Sequence, residues 1–396
     1  MNLEIYHQLG HNYIWNLQSL RQDQTGQGLI FAPRFMGPQE IAEIDRAIVR
    51  NCIFDPQFYL PRTALGKLSE YDFFPDKVAD GFITQDYSPE FAKISANRCV
   101  QYQIENDFRF VVIPTRWMSG MPSTFVDNQQ ELFVTPFLQA VAEQQPRTKP
   151  VLQLLLNRDM IKDQAYSDYL LNWITGLEMI EGVYLIIETR PRTKQIADAD
   201  FLLAYLSFID QLVQNQLDVI LGYLNTEAFL LSIASPRIVT MGVYETTRMF
   251  DIGNFEKSDK SKGGGPRPRL YTSNLLQWID YSFVKVISDE LEVGQSFYHD
   301  NIYRATMFEH TYQWHFTKPE LYKHAFVVMS EDLEALSENE GKIRFEMVRE
   351  RISSAMSYFS VIAERGIVLG QDSNGDHLPA WLTAANLFAR RKGWLL

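Results

Sequence analysis

The chain has 396 residues and a net charge of −12, and its 46% hydrophobic and 22% charged residues exclude a disordered protein. The only cysteines, Cys52 and Cys99, exclude a disulfide scaffold and a cysteine-rich metal site, and the acidic balance argues against indiscriminate nucleic-acid binding. Because the first residues show no basic region before an apolar run, and no apolar stretch could cross a bilayer, we expect no signal peptide and a cytoplasmic protein.

Eight short apolar runs predict β-strands at residues 28–33, 52–54, 81–84, 110–113, 151–156, 182–187, 217–221 and 237–244. Several are apolar at successive positions, which is typical of strands buried on both faces of a parallel sheet. Helical patterns lie between most of them, at residues 38–50, 89–104, 129–143, 166–179, 197–214 and 226–234. Ser88 and Thr226 are expected to cap two of these helices. This alternation predicts an α/β fold, a TIM-type (β/α)8 barrel over residues 28–250 after an N-terminal segment 1–27. An open doubly wound sheet is the alternative.

The rest of the chain divides into a loop and a mostly helical region. Glycines, prolines and basic residues predict a long loop over 251–273, and helical patterns follow at 274–289, 341–364 and 378–391. We expect the region 274–396 to pack on the barrel. Phe345, Met347, Ile352 and Met356 recur at near-helical spacing and form either that packing surface or a docking surface for a protein partner.

Polar side chains follow every predicted strand, and the carboxyl ends of barrel strands are where TIM-type enzymes build their sites. Arginine suits two-point binding of phosphate or carboxylate, so we expect an anion-binding mouth. The alternative is that each arginine pairs with a neighbouring carboxylate. The expected substrate-binding residues at the strand ends are Arg34, Gln57, Arg116, Asn157, Arg158, Glu188, Arg190 and Arg248.

The loop after the last strand adds Arg267 and Arg269 to this set, next to Gly263, Gly264 and Gly265. Phosphate sites in barrels frequently use the loops after strands 7 and 8. A flexible basic flap over a phosphorylated or polynucleotide ligand is therefore one interpretation. An ordinary surface loop is the other.

Asp55, Asp86 and Glu245 are the catalytic candidates. Two carboxylates about 5–10 Å apart can act as nucleophile and proton donor at a glycosidic bond. Alternatively, each is an arginine's partner. No dinucleotide fingerprint, His/Cys ligand spacing or nucleophile elbow occurs, so we expect no cofactor and no metal.

Carboxylates at the strand ends, the passage from 217–225 to 241–244 and the basic glycine loop together resemble the tRNA-guanine transglycosylase group of barrels. That group includes DNA-modifying and defence-associated relatives. The resemblance implies base exchange at a nucleic-acid N-glycosidic bond, with Asp55 and Asp86 as nucleophile and acid/base and Glu245 as a departure. A second departure is the zinc site of those enzymes, because no cysteine follows Cys99.

We therefore expect a transglycosylase-like enzyme that acts on the N-glycosidic bond of a nucleobase-containing or phosphorylated substrate. The alternative is a non-catalytic barrel that binds nucleic acid or a protein partner within a larger assembly, such as one used in antiviral defence.

Overall fold

Eight parallel strands form a nearly closed barrel in the computed structural model, which describes residues 2–60, 66–74, 88–189, 194–256 and 267–395. In the sheet the strands follow the order β3-β2-β1-β8-β7-β6-β5-β4. The backbone N–H of Arg109, just before β4, donates to the carbonyl of Cys52, just before β3, at 3.0 Å. This bond brings the two edge strands together and confirms the predicted TIM-type barrel. The strands are β1 Glu4–Gln8, β2 Gly28–Phe31, β3 Ile53–Phe54, β4 Phe110–Ile113, β5 Lys149–Asn157, β6 Gly182–Glu188, β7 Asp218–Leu221 and β8 Ile238–Gly242.

Seven of these strands overlap predicted runs, and β1 is the exception. It lies in the segment 1–27, before the predicted barrel range, and pairs in parallel with both β2 and β8. β1 lacks the apolar run that predicts a strand, because three of its five residues are Glu4, His7 and Gln8. The carboxylate of Glu4 binds Arg109, with Oε1 at 2.7 Å, while His7 and Gln8 are fully buried. The predicted strand 81–84 lies outside the described residues.

The crossovers between strands are helical, as parallel strands require. Ser88 caps its helix as predicted, since its hydroxyl accepts from the N–H of Phe91 at 3.2 Å. The predicted cap at Thr226 is wrong, because its hydroxyl donates to the side chain of Gln195 at 2.6 Å instead. The helices of the barrel are α1 Tyr13–Gln18, α2 Pro38–Ala42, α3 Arg46–Val49, α4 Pro89–Glu105, α5 Phe125–Gln129, α6 Thr135–Gln144, α7 Arg158–Lys162, α8 Gln164–Thr175, α9 Ala199–Gln214, α10 Glu227–Leu231 and α11 Glu245–Arg248.

The inside of the barrel is a packed core with one polar layer. Alternate residues of each strand face inward, since side chains alternate across a strand. Most are apolar, such as Ile30, Val112 and Ile220. Near the carboxyl ends of the strands, the buried side chains of Gln8 and Gln153 make the lining polar.

The region after the barrel begins with an antiparallel hairpin, β9 Arg269–Thr272 and β10 Gln277–Asp280. The helix predicted over 274–289 is therefore wrong in its first half, because Gln277–Asp280 pairs with β9. The helix starts only at Tyr281. The remaining predicted helices at 341–364 and 378–391 are present with those bounds. This region contains α12 Tyr281–Glu290, α13 Ile302–Phe308, α14 Glu320–Ser337, α15 Gly341–Glu364 and α16 Leu378–Arg391.

Buried side chains tie the C-terminal region to the barrel. The guanidinium of Arg344 is fully buried and donates to the carbonyls of Leu336, Asn339 and Ser232 at 2.8 to 3.0 Å. The indole of Trp381 donates to the carbonyl of Ile196 at 2.9 Å. Within the described ranges, none of the helices combines the length and the apolar character needed to cross a membrane.

Candidate functional site

The centre of the barrel mouth is closed by a segment that we call the plug, residues 250–255. Phe250, Ile252 and Phe255 are buried and join the apolar lining of the barrel interior. The carboxylate of Glu188, at the end of β6, accepts from the N–H of Ile252 at 3.0 Å. The guanidinium of Arg34, which follows β2, lies 5.1 Å from the ring of Phe255. Two of the predicted substrate-binding residues therefore hold the plug in place.

Asp55 lies beneath the plug and is fully buried. Its carboxylate accepts from Gln153 Nε2 at 2.6 Å, from the N–H of Gln57 at 3.0 Å, and from the hydroxyls of Tyr59 and Tyr184. Loss of solvation raises the pKa of Asp55 to about 6, although these donors act in the opposite direction.

The backbone around Asp55 is unusual. Gln57 and Tyr223 both have a φ of 56°, in the left-handed region that costs free energy for any residue except glycine. Both join the same network, because Gln57 Nε2 donates to the Tyr223 hydroxyl at 3.5 Å. The ring of Tyr223 then packs against Phe250 of the plug, with centroids 5.3 Å apart. Contacts through Gln57 and Tyr223 thus link Asp55 to Phe250 of the plug.

A pocket of about 770 Å³ opens beside the plug, between the barrel and the C-terminal region. Its walls come from the segments that follow β1, β6 and β8, from the β9–β10 hairpin, and from residues near α14 and α16. Four predicted site residues line it, Glu245, Arg248, Arg267 and Arg269. The other lining residues are His11, Asn12, Lys194, Tyr244, Thr246, Trp278, Phe316, Thr317, Tyr322 and Asp372.

Arg248 is the buried cation of this pocket, with only 6% of the residue exposed. Its guanidinium stacks on the indole of Trp278, 3.7 Å from the ring centroid. Its Nε and Nη1 have no hydrogen-bond partner in the part of the chain that the structure describes. Loss of solvation lowers the pKa of Arg248 to about 10, so the side chain is still charged at neutral pH.

A network of ion pairs forms the adjacent wall. Glu245 contacts Lys194 at 2.7 Å and Arg269 at 3.5 Å, and Arg269 also contacts Asp372 at 2.7 Å. Together with Arg248 and Arg267, the described residues of the lining include four Lys and Arg side chains and two carboxylates. The described lining thus has an excess of two positive charges in a protein whose net charge is −12.

The catalytic candidates do not meet at this pocket. Glu245 lies in its wall, whereas the hydrogen-bond partners of Asp55 are lumen residues that do not line it. Asp86 lies outside the described residues, as do Arg190 and the three loop glycines.

The other predicted binding residues have structural contacts. Asn157 caps α7 by accepting from the N–H groups of Asp159 and Met160. Arg158 pairs with Asp198, and Arg116 lies 5.2 Å from the ring of Phe133. The alternative interpretation, a structural pairing for each arginine, therefore holds for Arg158.

The aromatic lining was not among the predicted site residues. Tyr244 ends a predicted strand, but Trp278 and Tyr322 are distant in sequence and reach the pocket only through the C-terminal packing. No local motif marks them, so only the folded chain shows that they belong to the site.

Comparison of the sequence with models of known protein families and with curated proteins finds no match. The barrel agrees with the layout expected from the resemblance to tRNA-guanine transglycosylases, but no family match supports that specific relationship.

Proposed function

We propose that this chain binds a small phosphorylated ligand in the pocket between the barrel and the C-terminal region. The observation that carries the proposal is the buried, charged Arg248, whose Nε and Nη1 have no partner among the described residues. Glu245 and Glu227 attract this charge but do not hydrogen-bond to Nε or Nη1, and loss of solvation still outweighs their effect. Burying an incompletely compensated charge costs several kcal/mol, and an aromatic face returns only about 1–2 kcal/mol. A bound anion that accepts from both nitrogens would remove most of that cost.

The charge of the pocket favours phosphate over a single carboxylate. A phosphate monoester carries a charge of about −1.5 to −2 at neutral pH. This value matches the excess of two positive charges in the lining. Arg269 contributes a third unpartnered donor, since its Nε has no hydrogen-bond partner in the described ranges.

We also propose that the protein acts on a glycosidic bond and that two carboxylates of the pocket carry out the reaction. Glu245 and Asp372 both line the pocket and both pair with the Arg269 guanidinium, which is the arginine pairing expected under the alternative interpretation of Glu245. A ligand phosphate that binds Arg269 would compete with these pairs and place both carboxylates beside the ligand. In cleavage or exchange at an N-glycosidic bond, one carboxylate would form a bond to the sugar carbon as the bond to the base breaks. The other would have to take up a proton from water before it could pass one to the departing base, and water or a second base would then displace the sugar from the first carboxylate. Asp55 would take part only after the plug had moved. Glu245→Gln and Asp372→Asn should each abolish turnover of a phosphorylated N-glycoside without preventing its binding.

The alternative, a non-catalytic barrel that docks a nucleic acid or a protein, has less support. In the proposed docking stripe, Phe345 and Ile352 are fully buried, and Met347 and Met356 pack against the main core. The main core, to which α16 and the barrel both contribute, therefore already covers this face. The pocket also has the volume of a small-molecule site, which is typically about 300–1,000 Å³.

Isothermal titration with pyrophosphate and with ribose 5-phosphate tests the proposal. Arg248→Lys keeps the charge but loses the two-point geometry, so we expect at least a tenfold weaker Kd. Arg158→Lys is the matched control, because Arg158 also follows a strand but is paired with Asp198 outside the pocket. Equal affinities in both variants, or no binding by the wild type, would show that the pocket is not an anion site.

A further inference from the structure

The pocket also has aromatic lining residues, and several contacts hold the ring of Tyr244 in place. The Tyr244 hydroxyl accepts from Asn12 Nδ2 at 2.5 Å, and its ring packs edge-on against Tyr322 with centroids 5.2 Å apart. The ring centroid of Trp15 lies 6.2 Å from that of Tyr244. These contacts hold Tyr244 in one orientation and leave it in the pocket lining.

The ring of His11 faces Tyr244. The two ring centroids are 6.3 Å apart and their planes differ by 26°. A planar ring inserted between two others needs about 7 Å, twice the contact distance of roughly 3.5 Å between carbon atoms. His11 is exposed, so a small rotation of its side chain would provide the missing space.

We propose that the ligand of this pocket is a mononucleotide, with its base held between His11 and Tyr244 and its phosphate on Arg248. This inference rests on the proposed phosphate site and adds the class of ligand. Both groups line one pocket whose volume of about 770 Å³ accommodates a ligand of that size. Thr246 and Thr317 also line it and offer hydroxyls to the sugar or to the edges of the base.

The aromatic lining explains why a base, and not an alkyl group, fits beside the phosphate. Phe316, at the pocket wall, is 49% exposed, and His11 is also exposed, although large rings are normally buried. A planar π-face accommodates every base, so we expect binding of all four nucleotides with modest preferences among them.

The test compares binding of AMP, GMP, CMP and UMP with binding of ribose 5-phosphate, which has the phosphate but lacks the base. For the wild type we expect at least one nucleotide to bind about tenfold tighter than ribose 5-phosphate, the lower range for stacking one base. His11→Ala and Tyr244→Leu should remove this preference, and Tyr244→Phe, which keeps the ring, should retain it. His310→Ala is the matched control, because His310 is exposed and lies outside the pocket lining.

The outcomes separate this inference from the proposed function. Equal affinity of the wild type for the nucleotides and ribose 5-phosphate, with Arg248→Lys weakening both, would overturn the base site and leave the phosphate site standing. A nucleotide preference that survives in both His11→Ala and Tyr244→Leu would also overturn it. Binding of none of these probes would refute the phosphate site itself.

Discussion

Replacing Arg248 by methionine should make the unliganded protein more stable while it removes ligand binding. Burial lowers the pKa of Arg248 from 12.5 to about 10. At about 1.36 kcal/mol per pKa unit, the folded state disfavours the charged form by roughly 3 kcal/mol. The contact with Trp278 offsets about 1–2 kcal/mol of this cost. Methionine keeps the apolar stem and its contact with the indole, so we expect a net gain of about 1–2 kcal/mol.

Urea unfolding measures this change, with the wild type, Arg248→Met and Arg158→Met compared without ligand. Arg158 is partly exposed and paired with Asp198, so its replacement should cost about 0–1 kcal/mol. With saturating pyrophosphate, only Arg248→Met should lose the ligand's stabilising effect. A lower free energy of unfolding in unliganded Arg248→Met would refute the inference that burial of this charge destabilises the fold.

Three further predictions concern the barrel and its C-terminal support. Because the pKa of Asp55 is raised in the folded state, the unfolded chain loses this proton first as pH rises. The stability of wild type relative to Asp55→Asn, measured by urea unfolding, should therefore fall by about 2 kcal/mol between pH 4 and pH 7. Phe255→Ala leaves a cavity in the plug and should lower the free energy of unfolding by about 3 kcal/mol; an unchanged melting temperature would show that the plug is not packed. Arg344→Met leaves three carbonyls without their donor and should cost about 3 kcal/mol in chemical denaturation, whereas the exposed Arg365→Met should cost less than about 0.5 kcal/mol.

The fold could largely be predicted from the sequence because most of its strands are continuous apolar runs. β1 was the exception, because its polar side chains bond to residues far away in the sequence. Glu4 accepts a hydrogen bond from Arg109, and Gln8 accepts one from the hydroxyl of Tyr184. A pattern of hydrophobicity cannot reveal a strand whose inward face is hydrophilic. The long helix Gly341–Glu364 was predicted with its correct bounds because its apolar positions follow a regular helical period.

The candidate site could be predicted only in part. Arg248 and Arg158 both lie in segments that follow strands, and the sequence does not show which of them is paired. Folding does, because Asp198, 40 residues along the chain, neutralises Arg158, whereas Arg248 receives an indole from the C-terminal hairpin. The function of a strand-end arginine thus depends on tertiary contacts.

The incomplete closure of the barrel determines where its backbone opens most readily. The edge strand β3 contains only two residues, and among the described residues two backbone bonds join the segments of the two edge strands, from Arg109 to Cys52 and from Trp117 to Tyr59. The bond from Gln153 on β5 to Asp55 after β3 passes over β4 and connects the two sides of this seam by side chains alone. Amide hydrogens along a seam held in this way exchange with solvent through local opening, while those of β5 and β6, paired over seven residues, exchange only when the whole barrel unfolds. We therefore expect the two sides of the barrel to differ in their rates of amide exchange. The plug contacts the side that opens more readily through Tyr59, which follows the edge strand β3.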